Sequence, residues 1–322
     1  MKLKKIMLLV ILVAIILTSI IIGIHASKKA KTNNTDKIKV TVSNFASYDF
    51  LRAIIGNNDN VELTFLLGPG KDSHSYEPTA QDLITIQNSD LFVYVGGEME
   101  KWADRVLDTL ETGKTEIICI ADIADKMEEK EIDGAEENEH EHEHEEGAFD
   151  EHVWTSPQNA IKMINALENE MEKIDNKNSN TYKENSNKYI EKIKNVDSKI
   201  QNVVNNKVRD RLVFADKMPM QYFIDYYKLQ VTAAFDGCST ETEPSAKTIA
   251  YIENKVKEEK IPVILYIELN NGAVAQTIAN ETGAKAMQIQ TLHNVSKKDF
   301  DNGETWVSLM ERNIDVLREA LQ

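Results

Sequence analysis

The sequence predicts an α/β protein of two lobes, each with a parallel sheet, joined by a long rigid helix. Three observations carry this. Apolar β-type runs alternate with helical patterns through the first 120 residues. The same rhythm returns after residue 210. Between the two lies a helical stripe with no strand signal. Alternation of strand and helix favours parallel strands covered by helices, because each crossover lays a helix on the sheet.

In the first half, Ile38–Val42, Val61–Leu67, Leu91–Val95 and Glu116–Ile120 read as strands. Tyr48–Ile55, Ala80–Asn88 and Met99–Leu110 read as helices, the second opened by Pro78 and a Thr79 cap. Tyr182, Tyr189, Ile193, Val196, Ile200 and Val203 then recur at helical spacing. The remaining faces are Lys, Asn, Glu and Asp, so this is a surface helix of about six turns with one apolar stripe. In the second half Leu212–Ala215, Val231–Phe235, Val263–Ile267 and Ala286–Ile289 read as strands. Ala246–Lys257 and Gly272–Thr282 read as helices. Glu304–Leu321 closes the chain, with Trp306, Leu309, Met310, Ile314, Leu317 and Leu321 on one side. The expected division is a leader and linker at 1–37, a first lobe at 38–180, a linking helix at 181–207 and a second lobe at 208–322. Two lobes leave a cleft, which is where ligands bind.

Lys2, Lys4 and Lys5 precede an apolar run from Ile6 to Ile24, and Lys28, Lys29 and Lys31 follow it. At roughly 19 residues the run is longer than a signal-peptide core and close to a bilayer span. Ile24 sits where a cleavage site prefers a small residue, and no cysteine near the run offers a lipid acceptor. An uncleaved membrane anchor is the expectation, with cleaved export as the alternative. Either way the body is extracytoplasmic. The formal charge is −16, and residues 1–37 contribute +6, leaving −22 on the rest. Such a body repels nucleic acid and anionic membrane surfaces and attracts cations. With no second apolar span, a monomer is expected. Cys119 and Cys238 are the two cysteines; a bridge between them is possible outside the cell, but two do not make a framework.

Histidines carry the chemistry. His74 lies in the loop Gly70-Lys71-Asp72-Ser73-His74-Ser75-Tyr76-Glu77-Pro78-Thr79, where Gly68 and Gly70 allow tight turns. Asp72 and Glu77 are placed to orient its ring. His152 lies in Asp150-Glu151-His152-Val153-Trp154, whose apolar neighbours imply packing. A loop histidine is usually just solvated and a packed one usually just hydrogen-bonded. Two in shaped segments point instead to a metal. Between them, within an acidic loop at 128–147, runs Glu139-His140-Glu141-His142-Glu143-His144-Glu145. It matches the H-E-x-x-H spacing of zinc proteases, but it has no apolar face to fix a helix. It reads as a solvated acidic loop or as a mobile metal collector. His293 follows the last strand. Glu241 and Glu243 precede the helix from Ala246, where carboxylates favour the N-terminal end, and either could also be a ligand. No phosphate loop, nucleophile elbow or dinucleotide fingerprint is present.

Together these residues resemble the metal-binding substrate-binding proteins of ABC transporters, zinc/manganese type (cluster A-I), from Lys39 to Leu321. The segments at 70–79 and 150–154 are similar to that family's two histidine ligand motifs, with Glu151 where proline is usual. Gly96-Gly97-Glu98-Met99-Glu100-Lys101-Trp102 and Glu243-Pro244-Ser245 also resemble family segments. An acidic histidine-rich insert before the second motif is typical of zinc-type members.

The resemblance implies a metal receptor, not an enzyme, that captures Zn2+, with Mn2+ or iron as the alternative, in the cleft and delivers it to an ABC permease and its ATPase. A metallohydrolase is the competitor from another class. The resemblance also implies a His or Glu ligand from the second lobe at Lys217, five residues before Tyr222-Phe223. A protonated lysine about 5 Å from a dication costs about 6–7 kcal/mol at an effective dielectric near 20. That is about half the binding energy of a nanomolar site. Lys217 is therefore expected to point away or pair with a carboxylate. Asp216 is expected to replace it as ligand, with Glu243 as competitor. His293 is expected where the family has its last, acidic ligand. The expected metal set is His74, His152, His293, Asp216 and Glu243.

Overall fold

The computed structural model describes residues 37–135, 149–237 and 243–322. The leader, the histidine-glutamate tract and Cys238 lie outside them. In the first lobe, β1 (Ile38–Val42), β2 (Val61–Phe65), β3 (Leu91–Tyr94) and β4 (Glu116–Cys119) form one sheet in the order β2-β1-β3-β4. β1 pairs parallel with β3, Val42 opposite Val93, and β3 pairs parallel with β4. Val40, Val42, Leu91, Phe92 and Val93 are fully buried, as expected for parallel strands covered on both faces. The covering helices are α1 (Phe45–Ile55), α2 (Ala80–Gln87) and α3 (Trp102–Leu107). α1 starts three residues before the expected Tyr48, because the Asn44 side chain caps it by accepting from Ser47 N at 3.3 Å. The expected helix from Met99 is split: residues 98–100 form a 3-10 turn ahead of α3.

The second lobe repeats the arrangement. β5 (Arg211–Lys217), β6 (Gln230–Phe235), β7 (Val263–Ile267) and β8 (Lys285–Ile289) follow the order β6-β5-β7-β8. β5 pairs parallel with β6 and β7, and β7 with β8, with Leu265 between Phe214 and Met287. Its core gathers Val213, Phe235, Ile252, Val256, Ile264 and Ile278. In both lobes the order 2-1-3-4 opens a crevice at the carboxyl ends of the strands, where such sheets place their ligands.

Two helices follow the first sheet and precede the second in the chain. α4 (Pro157–Ile174) is an addition to the sequence reading, which assigned nothing there. α5 (Ser179–Asn205) is the long helix, and all six residues of its expected stripe are buried. It packs on α4, on α1 and on the closing helix α10 (Trp306–Leu321). The remaining helices are α6 (Gln221–Tyr226), α7 (Ala246–Glu259), α8 (Ala273–Thr282) and α9 (Lys297–Asp301). Buried Asp49 of α1 joins three elements: it accepts from Arg52 Nη2 at 2.6 Å, from Trp306 N at 2.7 Å and from the Tyr189 hydroxyl of α5. Burial raises its pKa against the pull of Arg52.

After β4 the chain crosses to the second lobe as an extended strap, residues 127–135. Tyr222 Oη accepts from Met127 N at 3.0 Å, and Gln221 exchanges hydrogen bonds with Glu128 O and Lys130 N. Asp133 pairs with Thr232 of β6 as an isolated bridge. Its carboxylate accepts from Thr232 Oγ1, Arg211 and Tyr251, with Lys255 at 3.3 Å. The chain returns at Phe149, which bridges Glu128 three residues before His152. Among the described residues no helix is long and apolar enough to cross a membrane.

Candidate metal centre

His74 stands in the loop between β2 and α2, shaped by Gly68 and Gly70 at φ +71° and +78°. His152 opens a 3-10 turn at 153–155 that leads into α4. His293 follows β8 in the second lobe. The fold brings the three rings together, with centroids 4.9, 5.3 and 5.6 Å apart. One nitrogen from each lies within 4.8 Å of the others. His74 Nε2, His152 Nε2 and His293 Nδ1 are buried and have no hydrogen-bond partner. A buried, unpartnered polar atom costs about 1–3 kcal/mol. Three converging on one point fit a cation that all of them bind. Tetrahedral zinc sits about 2.0–2.1 Å from each nitrogen, so the group would draw inward on binding it.

The outer nitrogens are held. Asp150 Oδ1 lies 3.2 Å from His152 Nδ1, which orients the ring with Nε2 toward the other two imidazoles. Ser73 Oγ lies 2.6 Å from His293 Nε2. Asp72 Oδ1 is 3.6 Å from the same nitrogen, beyond hydrogen-bond reach, and it accepts from His74 N at 2.8 Å. Burial, then the neighbouring His293 and His152 rings, push the His74 pKa down to about 2. Burial also holds His293 at about 4, against the pull of Asp72. Both rings are therefore neutral near pH 7, with lone pairs available to a metal.

Lys217, 6% exposed at the end of β5, points its ammonium at Asp72 Oδ2, 3.0 Å away. Burial works to raise the Asp72 pKa, but His293 and Lys217 outweigh it and hold the group well below the usual carboxylate range. This pair spans the cleft from one lobe to the other. Asp216 does not join the histidines. Its Oδ1 accepts from Lys217 N at 2.8 Å and its Oδ2 from Ile267 N at 3.2 Å, so backbone donors of β5 and β7 use the carboxylate. Glu243 is exposed, two residues ahead of the Ser245 cap of α7, and also lies outside the group. Glu77 forms a surface pair with Arg105 and does not reach His74.

Sequence reasoning passed over two buried carboxylates behind the site. Glu151 accepts from Met99 N at 2.8 Å, tying the His152 segment to the turn before α3. Burial pushes its pKa up to about 8. Gly97, at φ +77°, is required beside it, since a Cβ there would fall 2.2 Å from Glu151 Oε1. Glu268, just past β7, accepts from Thr291 N, Thr291 Oγ1 and His293 N. Burial raises its pKa as well. Cys119 is a free thiol whose Sγ donates to Val95 O.

The comparisons with known proteins agree with this geometry. The high-affinity zinc uptake system protein ZnuA of Bacillus subtilis (strain 168) is 31% identical over 303 residues, covering 93% of this chain and 92% of its own length. The zinc-binding lipoprotein AdcA of Streptococcus pneumoniae is 31% identical over 288 residues, 88% of this chain and 56% of AdcA. The chain thus spans about half the length of that relative. Among solved structures, the Zn(II)-bound ZnuA-like domain of Streptococcus pneumoniae AdcA superposes with TM-score 0.72 at 28% identity, covering 88% of this chain and 99% of the domain. The metal-dependent lipoprotein YcdH of Bacillus subtilis gives 0.74 at 28% identity, covering 88% and 99%. The family model described as ZnuA, zinc-uptake complex component A periplasmic, matches residues 40–320, and the chain belongs to that family.

Proposed function

We propose that this chain is an extracytoplasmic receptor that captures zinc in the cleft and hands it to an ABC permease driven by an ATPase. One observation carries the reading: three buried imidazole nitrogens converge without partners, drawn from both lobes. Neutral nitrogen ligands suit zinc, whereas manganese prefers carboxylate oxygens. Three nearby carboxylates are engaged elsewhere, Asp72 with Lys217, Asp150 with His152 and Asp216 with backbone. Separating the lobes removes His293 from the other two rings, so opening the cleft dismantles the site and releases the ion. The relatives, a zinc uptake system protein and a zinc-binding lipoprotein, support the same reading. We read the leader as the anchor or export signal that keeps the body outside the cell.

The test is growth under zinc limitation. Cells lacking this chain should grow poorly with a zinc chelator and recover with the wild-type chain or with added zinc. The His152→Ala chain should not restore them. Full rescue by His152→Ala would refute the role of the cleft in uptake.

A further inference from the structure

Three separate segments carry the imidazoles, and one loop of the second lobe holds all three. Residues 290–295 follow β8. Asn294 Nδ2 donates to Gly68 O at 3.0 Å and to Lys71 O at 2.6 Å, and Gly70 N donates to Val295 O at 2.8 Å. The loop thus grips the turn that presents His74. Thr291 O accepts from the Trp154 indole at 3.2 Å, which ties the loop to the His152 segment. His293 belongs to the loop itself.

This loop is not relaxed. Leu292 is fully buried at φ +61°, a region that bulky side chains disfavour. Glu268, 5% exposed, holds the turn from behind with both oxygens. Oε2 accepts from Thr291 N at 2.7 Å, and Oε1 accepts from Thr291 Oγ1 at 2.8 Å and His293 N at 2.9 Å. The donors lie on both sides of Leu292. A carboxylate is the acceptor-only group that satisfies all three.

We propose that Glu268 is the positioning residue of the metal centre: through the 291–293 turn it sets the mutual spacing of His74, His152 and His293. This inference rests on the three-imidazole reading above. Glu268 does not touch the ion; it acts through the backbone of His293. Partners of this rank typically change metal affinity 10–100-fold.

The experiment measures zinc affinity of the full-length chain by chelator competition, cadmium-113 NMR of the cadmium-loaded chain, and melting of the metal-free chain. Glu268→Gln keeps the size but offers one acceptor oxygen to three donors. It should bind one zinc about 10–100-fold more weakly, with a displaced cadmium resonance. Asn294→Ala leaves Glu268 in place and frees the His74 turn; it should weaken zinc about 10-fold or more. Wild-type affinity and an unmoved resonance in a folded Glu268→Gln would overturn the proposal. If that variant melts below the working temperature, wild-type affinity in Asn294→Ala overturns it instead. A wild-type chain that binds no zinc would overturn the three-imidazole reading itself, and this inference with it.

Discussion

His74, His152 and His293 differ from ordinary buried histidines in one respect: each leaves a nitrogen without a partner while a serine or carboxylate, or burial alone, fixes its state. Replacing any one by Ala should weaken zinc binding by more than the 10–100-fold typical of an outer partner. Calorimetry with zinc checks this, and wild-type affinity in any of the three would remove that residue from the site. Lys217→Met should bind zinc equally or more tightly, because it deletes a cation near the ion and releases Asp72. A clear loss of affinity would show that Lys217 supports the site. Asp216→Asn should keep zinc affinity but cost about 1–3 kcal/mol of stability in urea unfolding, since two backbone donors lose a carboxylate. The two first-lobe histidines were legible because each sits in a shaped segment with recognisable neighbours. The carboxylates were not. Asp216 and Glu268 both lie at strand ends, and only the position of Ile267 N or of the 291–293 turn shows that backbone donors claim them.

At the scale of elements, periodicity located every strand and the two amphipathic helices α5 and α10, because burial of one face leaves its period in the chain. α4 was missed although Met163, Ile164, Leu167 and Met171 are buried at helical spacing. The strap at 127–135 was also illegible. It lies in what reads as acidic loop, and its order comes from partners such as Tyr222, Thr232 and Tyr251, about 95–118 residues away in sequence. Asp133→Ala should therefore speed amide exchange at Met127, Lys130 and Ala233 while leaving zinc affinity within about threefold. Unchanged exchange at these amides would show that Asp133 does not hold the strap. The threefold bound follows from Asp133 touching neither the rings nor their direct partners, a distance at which effects stay near 0.5 kcal/mol.

At the scale of the whole molecule, two sheets of one topology face a shared cleft, and α1, α5 and α10 meet at Asp49 behind it. The rings come from both sides of that cleft, and the loop at 290–295 binds them into one group. Zinc capture in the cleft requires that this group hold the metal. Equilibrium competition between the full-length chain and a chelator of known zinc affinity tests it most directly. One zinc per chain, bound at nanomolar strength or tighter (about 12 kcal/mol) and lost in His152→Ala, is the predicted result. A chain with no site tighter than micromolar, or with tight binding that survives His152→Ala, would contradict it.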